Sequence, residues 1–232
     1  PSYREGTSET KREGVDGAMN TSKYSPVVKQ IPLSKECIEI IVGMLFGDGH
    51  LSKPAKNARI QLTHGEPQKF YIEHKAELLK DICPQGVKKK FIFDKRNAKF
   101  YPSYTVTTFT NETLTELYKL FYPQRKKKIS REVLKLLTPK AIAYWYMDDG
   151  GLGKYRHENG RVDVDLYLNT YMTDEEHKLI IEYFKVNYGI EFRLNKNHGG
   201  YRLRIGKKQA RTFVKLVEPY ILPEFQYKIN LL

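Results

Sequence analysis

The sequence has few cysteines and no long apolar run, and each shortage excludes a class of protein. Only two cysteines occur in 232 residues, Cys37 and Cys83, and neither has a histidine at metal-ligand spacing. A zinc motif is therefore excluded, and in an intracellular protein both cysteines would stay reduced and lie in the core. No segment approaches 18 consecutive apolar residues, which disfavours a membrane protein.

Positive charge is what the sequence has in excess. Lys and Arg number 40 against 27 Asp and Glu, which gives a formal net charge of +13. Such a surplus favours a polyanionic partner, most often nucleic acid, over the alternative of a soluble protein that is merely basic. Aromatic residues make up 12% of the chain, so a globular body is expected rather than a disordered one.

The beginning of the chain is polar, rich in Ser, Thr and Gly, and without hydrophobic periodicity. We expect residues 1–31 to be a flexible leader, or the remnant of an upstream fusion, outside the fold.

From residue 32 onward the chain repeats one order of elements. The segments "LSKECIEIIVGMLFGDG" and "LTPKAIAYWYMDDGG" each predict a buried helix, with Ser34 and Thr138 as N-caps. An alternating strand, an amphipathic helix, a basic hairpin and a closing helix follow each of them. The sequence therefore predicts an α+β duplication with the order α-β-β-α-β-β-α in residues 32–137 and again in residues 138–232.

An acid occupies the same place in both copies. Asp48 and Asp149 each stand where an apolar helix ends, against the partial negative charge of a helix C-terminus. Copies packed about a pseudo-twofold axis would bring the two carboxylates together, where a divalent cation such as Mg²⁺ would neutralise them. The backbone carbonyls of Gly47 and Asp148 are the expected additional ligands. The alternative is that both acids are ordinary solvated caps.

Polar side chains alternate with apolar ones along the predicted strands, so one sheet face in each copy is polar. A two-stranded ribbon fits the DNA major groove, where Arg reads guanine and Asn or Gln reads adenine. A solvated polar face is the alternative. The expected DNA-binding residues are Lys53, Arg59, Gln61, Thr63, Lys90, Thr105, Thr107, Tyr167, Asn169, Arg193, Asn195, Arg202 and Arg204.

A lysine closes each copy, in "KKKI" and in "YKI". Lys127 and Lys228 could stabilise charge on a phosphate or hold an attacking water. In the first copy the register is open, because counting back from the isoleucine favours Lys128 over Lys127.

The two apolar helices carry a family resemblance. "IVGMLFGDG" (Ile41–Gly49) and "IAYWYMDDG" (Ile142–Gly150) resemble the signature helices of LAGLIDADG homing endonucleases in their single-chain, two-repeat form, and within it the subgroup of the yeast mitochondrial intron-encoded enzyme. The strand "LNT" and the ending "PYILPEFQYK" also match that subgroup. The resemblance covers about residues 32 to 230.

The resemblance implies a saddle of two antiparallel sheets over a long double-stranded DNA site. Metal-dependent hydrolysis of both strands would use Asp48 and Asp149 with two or three divalent cations. Lys127, Lys228 and Gln61 match further active-site positions. The family also implies a monomer and location in an organelle, a mitochondrion or a chloroplast.

One departure from the family pattern predicts a difference in packing. Tyr144 and Trp145 replace small or aliphatic residues, which indicates looser or asymmetric helix packing with Gly43 and Gly47 accepting the rings. Two other functions stay open: an RNA maturase that assists splicing of its own intron, and a DNA-binding protein without catalysis. Neither requires the paired acids, which favours the nuclease.

Overall fold

The computed structural model of the protein describes residues 30–170, 172–197 and 200–231. The predicted leader lies outside these residues except for its last two positions. Within the described ranges, the helices are all too short or too polar to cross a membrane.

The N-terminal repeat follows the predicted order of elements. Its helices are α1 (Lys35–Phe46), α2 (Lys69–Leu78), α3 (Glu112–Phe121) and the short α4 (Arg131–Leu134). Its strands are β1 (His50–Ser52), β2 (Arg59–Gly65), β3 (Lys88–Asp94) and β4 (Lys99–Thr107). Short 3-10 turns at Glu66–Gln68 and Pro123–Arg125 complete it.

The C-terminal repeat has the same order. Its helices are α5 (Pro139–Asp149), α6 (Asp174–Tyr188) and α7 (Lys207–Val217). Its strands are β5 (Gly150–Arg156), β6 (Val162–Asn169), β7 (Arg193–Asn197) and β8 (Gly200–Gly206). Two 3-10 turns, Glu218–Tyr220 and Pro223–Lys228, follow α7.

Each repeat forms one four-stranded antiparallel sheet, in the order β1-β2-β4-β3 and β5-β6-β8-β7. Strand alternation buries Ile60 and Leu62 on one side of β2, while Arg59 and Gln61 lie on the other side and keep solvent contact. The buried faces of both sheets join one continuous hydrophobic core. The predicted fold class, a duplicated α+β protein with two antiparallel sheets, is confirmed.

The helices α1 and α5 form the centre of the molecule. Ser34 and Thr138 cap them as predicted, accepting hydrogen bonds from Cys37 N and Ala141 N. Every residue of α1 from Ile40 to Phe46 and of α5 from Ala141 to Met147 is buried. Burial on all sides explains why these segments are apolar throughout rather than striped.

Of the two predicted alternatives for the packing of α1 against α5, looser or asymmetric, the looser packing is wrong. A Cβ atom at Gly43 would lie 2.7 Å from the Tyr144 Cβ and would collide with the Ala141 carbonyl oxygen, so the backbones approach closely there. The bulky rings point elsewhere: Trp145 packs against Phe46 with centroids 4.9 Å apart. The Tyr144 hydroxyl reaches His74 Nε2 at 2.8 Å. Glycine therefore accommodates the neighbouring backbone, not the rings.

Candidate active site and DNA-binding face

The two predicted acids lie at the C-terminal ends of the central helices. Asp149 is the last residue of α5, and Asp48 follows α1 after the capping Gly47. Both line one cavity of about 240 Å³, together with Lys127 and Glu176. The pseudo-twofold arrangement thus brings the acids to one place, as the repeat predicts.

The electrostatics of this cavity favour a bound cation. Burial, the charge of Asp48 and the charge of Asp148 raise the pKa of Asp149 from 3.8 to about 7, although Lys127 and Lys228 oppose the rise. Burial and the charge of Asp148 also raise the pKa of Asp48. Both carboxylates are partly desolvated, and the positive charges around them do not fully compensate their ionised forms. Such a pair of oxygen donors suits a hard divalent cation.

The predicted lysines both reach the helix ends. Lys127 Nζ donates to the Gly47 carbonyl oxygen at 3.4 Å, and Lys228 Nζ donates to the Met147 carbonyl oxygen at 2.7 Å. Desolvation lowers the pKa of both amines, while the neighbouring acids counteract it. In the first repeat, the lysine that lines the cavity is Lys127, not Lys128.

Three residues form a buried network that the sequence reasoning missed. Lys75 on α2 is fully buried, and its Nζ lies 2.6 Å from Asp148 Oδ1 and 3.0 Å from His64 Nε2. Asp48, His64 and Asp148 have potential ligand atoms within 4.8 Å of one another, but the ammonium group of Lys75 already lies between His64 and Asp148. That ammonium disfavours a second cation there and leaves the cavity lined by Asp48 and Asp149 as the better candidate for a metal site.

A signal for this network was present in the sequence. His64 follows Ile60 and Leu62 in the buried phase of β2, and Lys75 follows Tyr71 in the buried phase of α2. A basic residue in the buried phase of an element requires a partner.

The polar face of the first sheet assembles several of the predicted DNA-binding residues. The register pairs Gln61 with Thr107 and Thr63 with Thr105 across β2 and β4. In β3, Lys90 is exposed, and Lys53 is exposed after β1. Arg59 keeps its place on this face through a hydrogen bond from its Nε to Ser52 Oγ at 3.2 Å. Gln61 stands opposite His50 in β1, and its predicted catalytic role stays a prediction.

The polar face of the second sheet carries an ordered group of arginines. Arg202 stacks on the Tyr167 ring with 3.7 Å between the guanidinium carbon and the centroid, and its Nε donates to Asn195 Oδ1 at 3.0 Å. Arg204 forms an ion pair with Asp165 at 2.7 Å, and Arg193 lies opposite it in the register. The guanidinium groups of Arg202 and Arg204 are therefore oriented by partners within the sheet.

Asn169 was predicted as a DNA-binding residue, but the structure also links it to the acid pair. Its Nδ2 donates to the Asp149 carbonyl oxygen at 2.9 Å. The end of β6 is thereby tied to the end of α5, at the border between the polar sheet face and the cavity.

The fold and this site together define a class of duplicated α+β proteins. Its members have a pair of acids at the ends of two central helices, and on either side of the acids lies an antiparallel sheet with a polar, largely basic face. Residues 38–213 match the model of the LAGLIDADG DNA endonuclease family. The chain belongs to that family.

Relatives support the same assignment. The chain is 28% identical over 203 residues to "Probable intron-encoded endonuclease 1" of Wickerhamomyces canadensis, covering 85% of each chain. It is 27% identical over 206 residues to "Cytochrome b mRNA maturase bI2" of Debaryomyces hansenii, covering 86% of this chain and 75% of that one. The chain is also 29% identical to "Protein RecA" of Mycolicibacterium chitae. This match covers 85% of this chain and 47%, or about half, of that protein.

A solved structure shows the same fold. The chain superposes with a TM-score of 0.79 on the structure described as "The homing endonuclease I-WcaI bound to its DNA recognition sequence", covering 94% of this chain and 95% of that one. Sequence identity is 23%, so this likeness concerns the fold.

Proposed function

We propose that the protein is a site-specific homing endonuclease, which hydrolyses one phosphodiester bond in each strand of a long DNA target. The observation that carries the proposal is the shared cavity of Asp48 and Asp149, which Lys127 also lines. The pKa values of both carboxyls are raised, so their ionised forms are less stable in the fold than in water. Raised pKa values of this kind are typical of functional acids.

Asp48 and Asp149 would hold Mg²⁺, in two or three ions, with the carbonyl oxygens of Gly47 and Asp148 as further ligands. When bound, such ions supply Lewis-acid activation of water and of the phosphate. The Gly47 carbonyl oxygen accepts a hydrogen bond from Lys127, and because a carbonyl oxygen has two lone pairs, it could bind a metal as well. Asp148 contributes only its carbonyl in this proposal, because its side chain is paired with Lys75.

Lys127 and Lys228 would act on the reacting phosphates. Their desolvated ammonium groups lie beside the helix ends that carry the acids. From these positions they could stabilise negative charge as it develops on the phosphate, or orient the attacking water.

The two polar sheet faces would bind double-stranded DNA, with the arginines of the second sheet reading base edges in the major groove. The net charge of +13 provides the attraction to phosphate. We infer a monomer, because one chain already contains both acids and both sheets. We place the repeat boundary between residues 137 and 138, where Thr138 caps α5.

Cleavage of a plasmid library with randomised sites tests this function. We expect cutting at one long site with Mg²⁺ and no cutting with Ca²⁺. Asp48→Asn and Asp149→Asn should abolish cutting while DNA affinity persists. Asp81→Asn, at an exposed carboxylate after α2, is the matched control and should cut normally. If Asp48→Asn still cuts both strands at the normal rate, the assignment of the active site is wrong.

A second function, RNA maturation, has one observation in its favour: the relative from Debaryomyces hansenii is named a maturase. Tight binding to an intron RNA without DNA cleavage would support it. We also propose that the protein acts in an organelle, a mitochondrion or a chloroplast. The support is that one relative is named as intron-encoded and another as a maturase of cytochrome b mRNA.

A further inference from the structure

The buried pair of Lys75 and Asp148 joins the two repeats beside the active site. Lys75 is on α2 of the N-terminal repeat, and Asp148 is on α5 of the C-terminal repeat. Both side chains are completely buried, with 2.6 Å between Lys75 Nζ and Asp148 Oδ1. Lys75 Nζ also lies 3.9 Å from the centre of the Tyr71 ring and 3.0 Å from His64 Nε2.

The second oxygen of Asp148 holds the catalytic loop of the other repeat. Asp148 Oδ2 accepts a hydrogen bond from the Asp48 backbone N–H at 3.2 Å. Lys75 fixes one carboxylate oxygen, so the other is held facing the amide of Asp48. His64, which contacts Lys75, also approaches the Asp48 side chain: its Nδ1 lies 3.7 Å from Asp48 Oδ2 and 2.9 Å from Gln68 Oε1.

Stability alone does not explain this arrangement. A buried ion pair can often be replaced by apolar residues of similar volume without loss of stability, because desolvation offsets the attraction between the charges. The pair is therefore better explained by what it orients. Its removal would leave the amide of Asp48 without this acceptor and would release the turn that carries the acid.

Among the residues that the structure describes, this hydrogen bond to the turn of an acid occurs in one repeat only. The residue before Asp149 is Asp148, whereas the residue before Asp48 is Gly47, which has no side chain. Gly47 therefore has no side chain that could accept a hydrogen bond from Asp149, as Asp148 accepts one from the Asp48 N–H. In the region of the second repeat that corresponds to His64 and Gln68, Thr170 contacts His177, and Glu176 binds the Ile129 N–H at 2.7 Å.

We propose that Lys75 and Asp148 are positioning residues for Asp48, so that their loss slows hydrolysis of one DNA strand much more than hydrolysis of the other. This inference rests on the proposed endonuclease function. Partners that orient metal ligands typically change activity by about 10- to 100-fold, and we expect an effect of that size on the affected strand.

The test compares two double variants. Lys75→Met with Asp148→Leu removes the pair without leaving a buried unpaired charge. Lys140→Met with Glu36→Leu is the control, because that pair also links the two repeats, from α5 to α1 at 2.6 Å, but it is partly exposed and lies at the helix N-termini. Single-turnover rates on a target labelled separately on each strand, with DNA affinity measured in Ca²⁺, give the ratio of the two cleavage rates.

We expect the Lys75/Asp148 variant to accumulate nicked DNA with unchanged affinity, and the control to keep the wild-type ratio. Equal slowing of both strands, or an unchanged ratio, would overturn the inference. If the double variant fails to fold, Asp148→Asn is measured instead by hydrogen exchange without metal or DNA, because its amide oxygen can still accept from Lys75 while its NH2 group faces the Asp48 amide. The Asp48 amide should then exchange about 10-fold faster or more, and unchanged exchange would overturn the inference. If the wild-type protein cuts no DNA, the proposed function fails, and the exchange experiment still decides whether Asp148 holds the Asp48 amide.

Discussion

Removing the charge of Asp149 should stabilise the protein when no metal is present. The carboxyl is partly buried near Asp48 and Asp148, and its pKa is raised from 3.8 to about 7. A raised pKa in the folded state means that ionisation above pH 7 opposes folding. Asp149→Asn keeps the shape of the side chain and removes that charge, so we expect a more stable but inactive protein.

The size of the effect follows from the pKa. A rise from 3.8 to about 7 corresponds to an upper limit of about 4 kcal/mol, at about 1.36 kcal/mol for each pH unit. Asp149 keeps part of its solvent contact, so screening reduces the expected gain to about 1–2 kcal/mol. For a chain of this length, the midpoint of thermal unfolding should rise by about 3–6 °C at pH 8. The gain should shrink as the pH falls from 7 and disappear near pH 4, where the carboxyl is protonated in both states.

Thermal unfolding followed by circular dichroism in EDTA, at several pH values, measures this gain. Asp81→Asn controls for the loss of one surface charge and should shift the midpoint little at any pH. Addition of Mg²⁺ should raise the midpoint of the wild-type protein more than that of Asp149→Asn. An unchanged or lower midpoint for Asp149→Asn at pH 8 would refute the reasoning that the fold bears an uncompensated charge at this site.

Three further predictions concern the lysines and the sheets. Lys127→Met should reduce single-turnover cleavage by about 100-fold or more with little change in DNA affinity. Lys128→Met, at the adjacent residue that does not line the cavity, should cleave like the wild type, and the reverse result would reassign the active-site lysine. Arg202→Ala should weaken binding and relax base preference at one position by about 1–3 kcal/mol, measured on targets with single base changes. A uniform loss across all targets would show instead that Arg202 contacts phosphate. DNA affinity should fall steeply between low and physiological salt, and a nearly flat dependence in a binding titration would contradict the saddle of basic residues.

The order of elements was predictable because local patterns and the duplication agree. Ser34 and Thr138 are N-cap residues that indicate where the central helices begin. The alternation of polar and apolar residues in β2 and β6 distinguishes the two sides of each sheet. The pairing of Asp48 with Asp149 followed from the repeat, because a symmetric arrangement brings equivalent positions together. Lys127 could not be separated from Lys128 by sequence alone, since the choice depends on how the chain leaves the turn at Pro123–Arg125.

The sequence could not show in which side-chain contacts the two repeats differ. Sequence reasoning treated Tyr144 as a ring that glycine must accept, yet the side chain turns out of the helix interface toward His74. It also assigned Asp148 only a carbonyl ligand, although the side chain binds Lys75. Both outcomes depend on contacts between segments about 70 residues apart. The periodicity of an element can show that a residue such as Lys75 is buried, but not which residue of a distant segment pairs with it.

The difference between Gly47 and Asp148 explains why the two halves of the site are not equivalent. A Cβ at Gly47 would lie 2.5 Å from the Asp148 side chain, so Asp148 can occupy its place only because the other repeat has glycine there. Two aspartates at these equivalent positions would collide and would add a further charge beside Asp48 and Asp149. Two glycines would leave Lys75 buried without its carboxylate partner. One glycine and one aspartate therefore satisfy both the space and the charge. As a consequence, the Asp48 N–H donates a hydrogen bond to the Asp148 side chain, whereas Gly47 has no side chain that could accept one from Asp149.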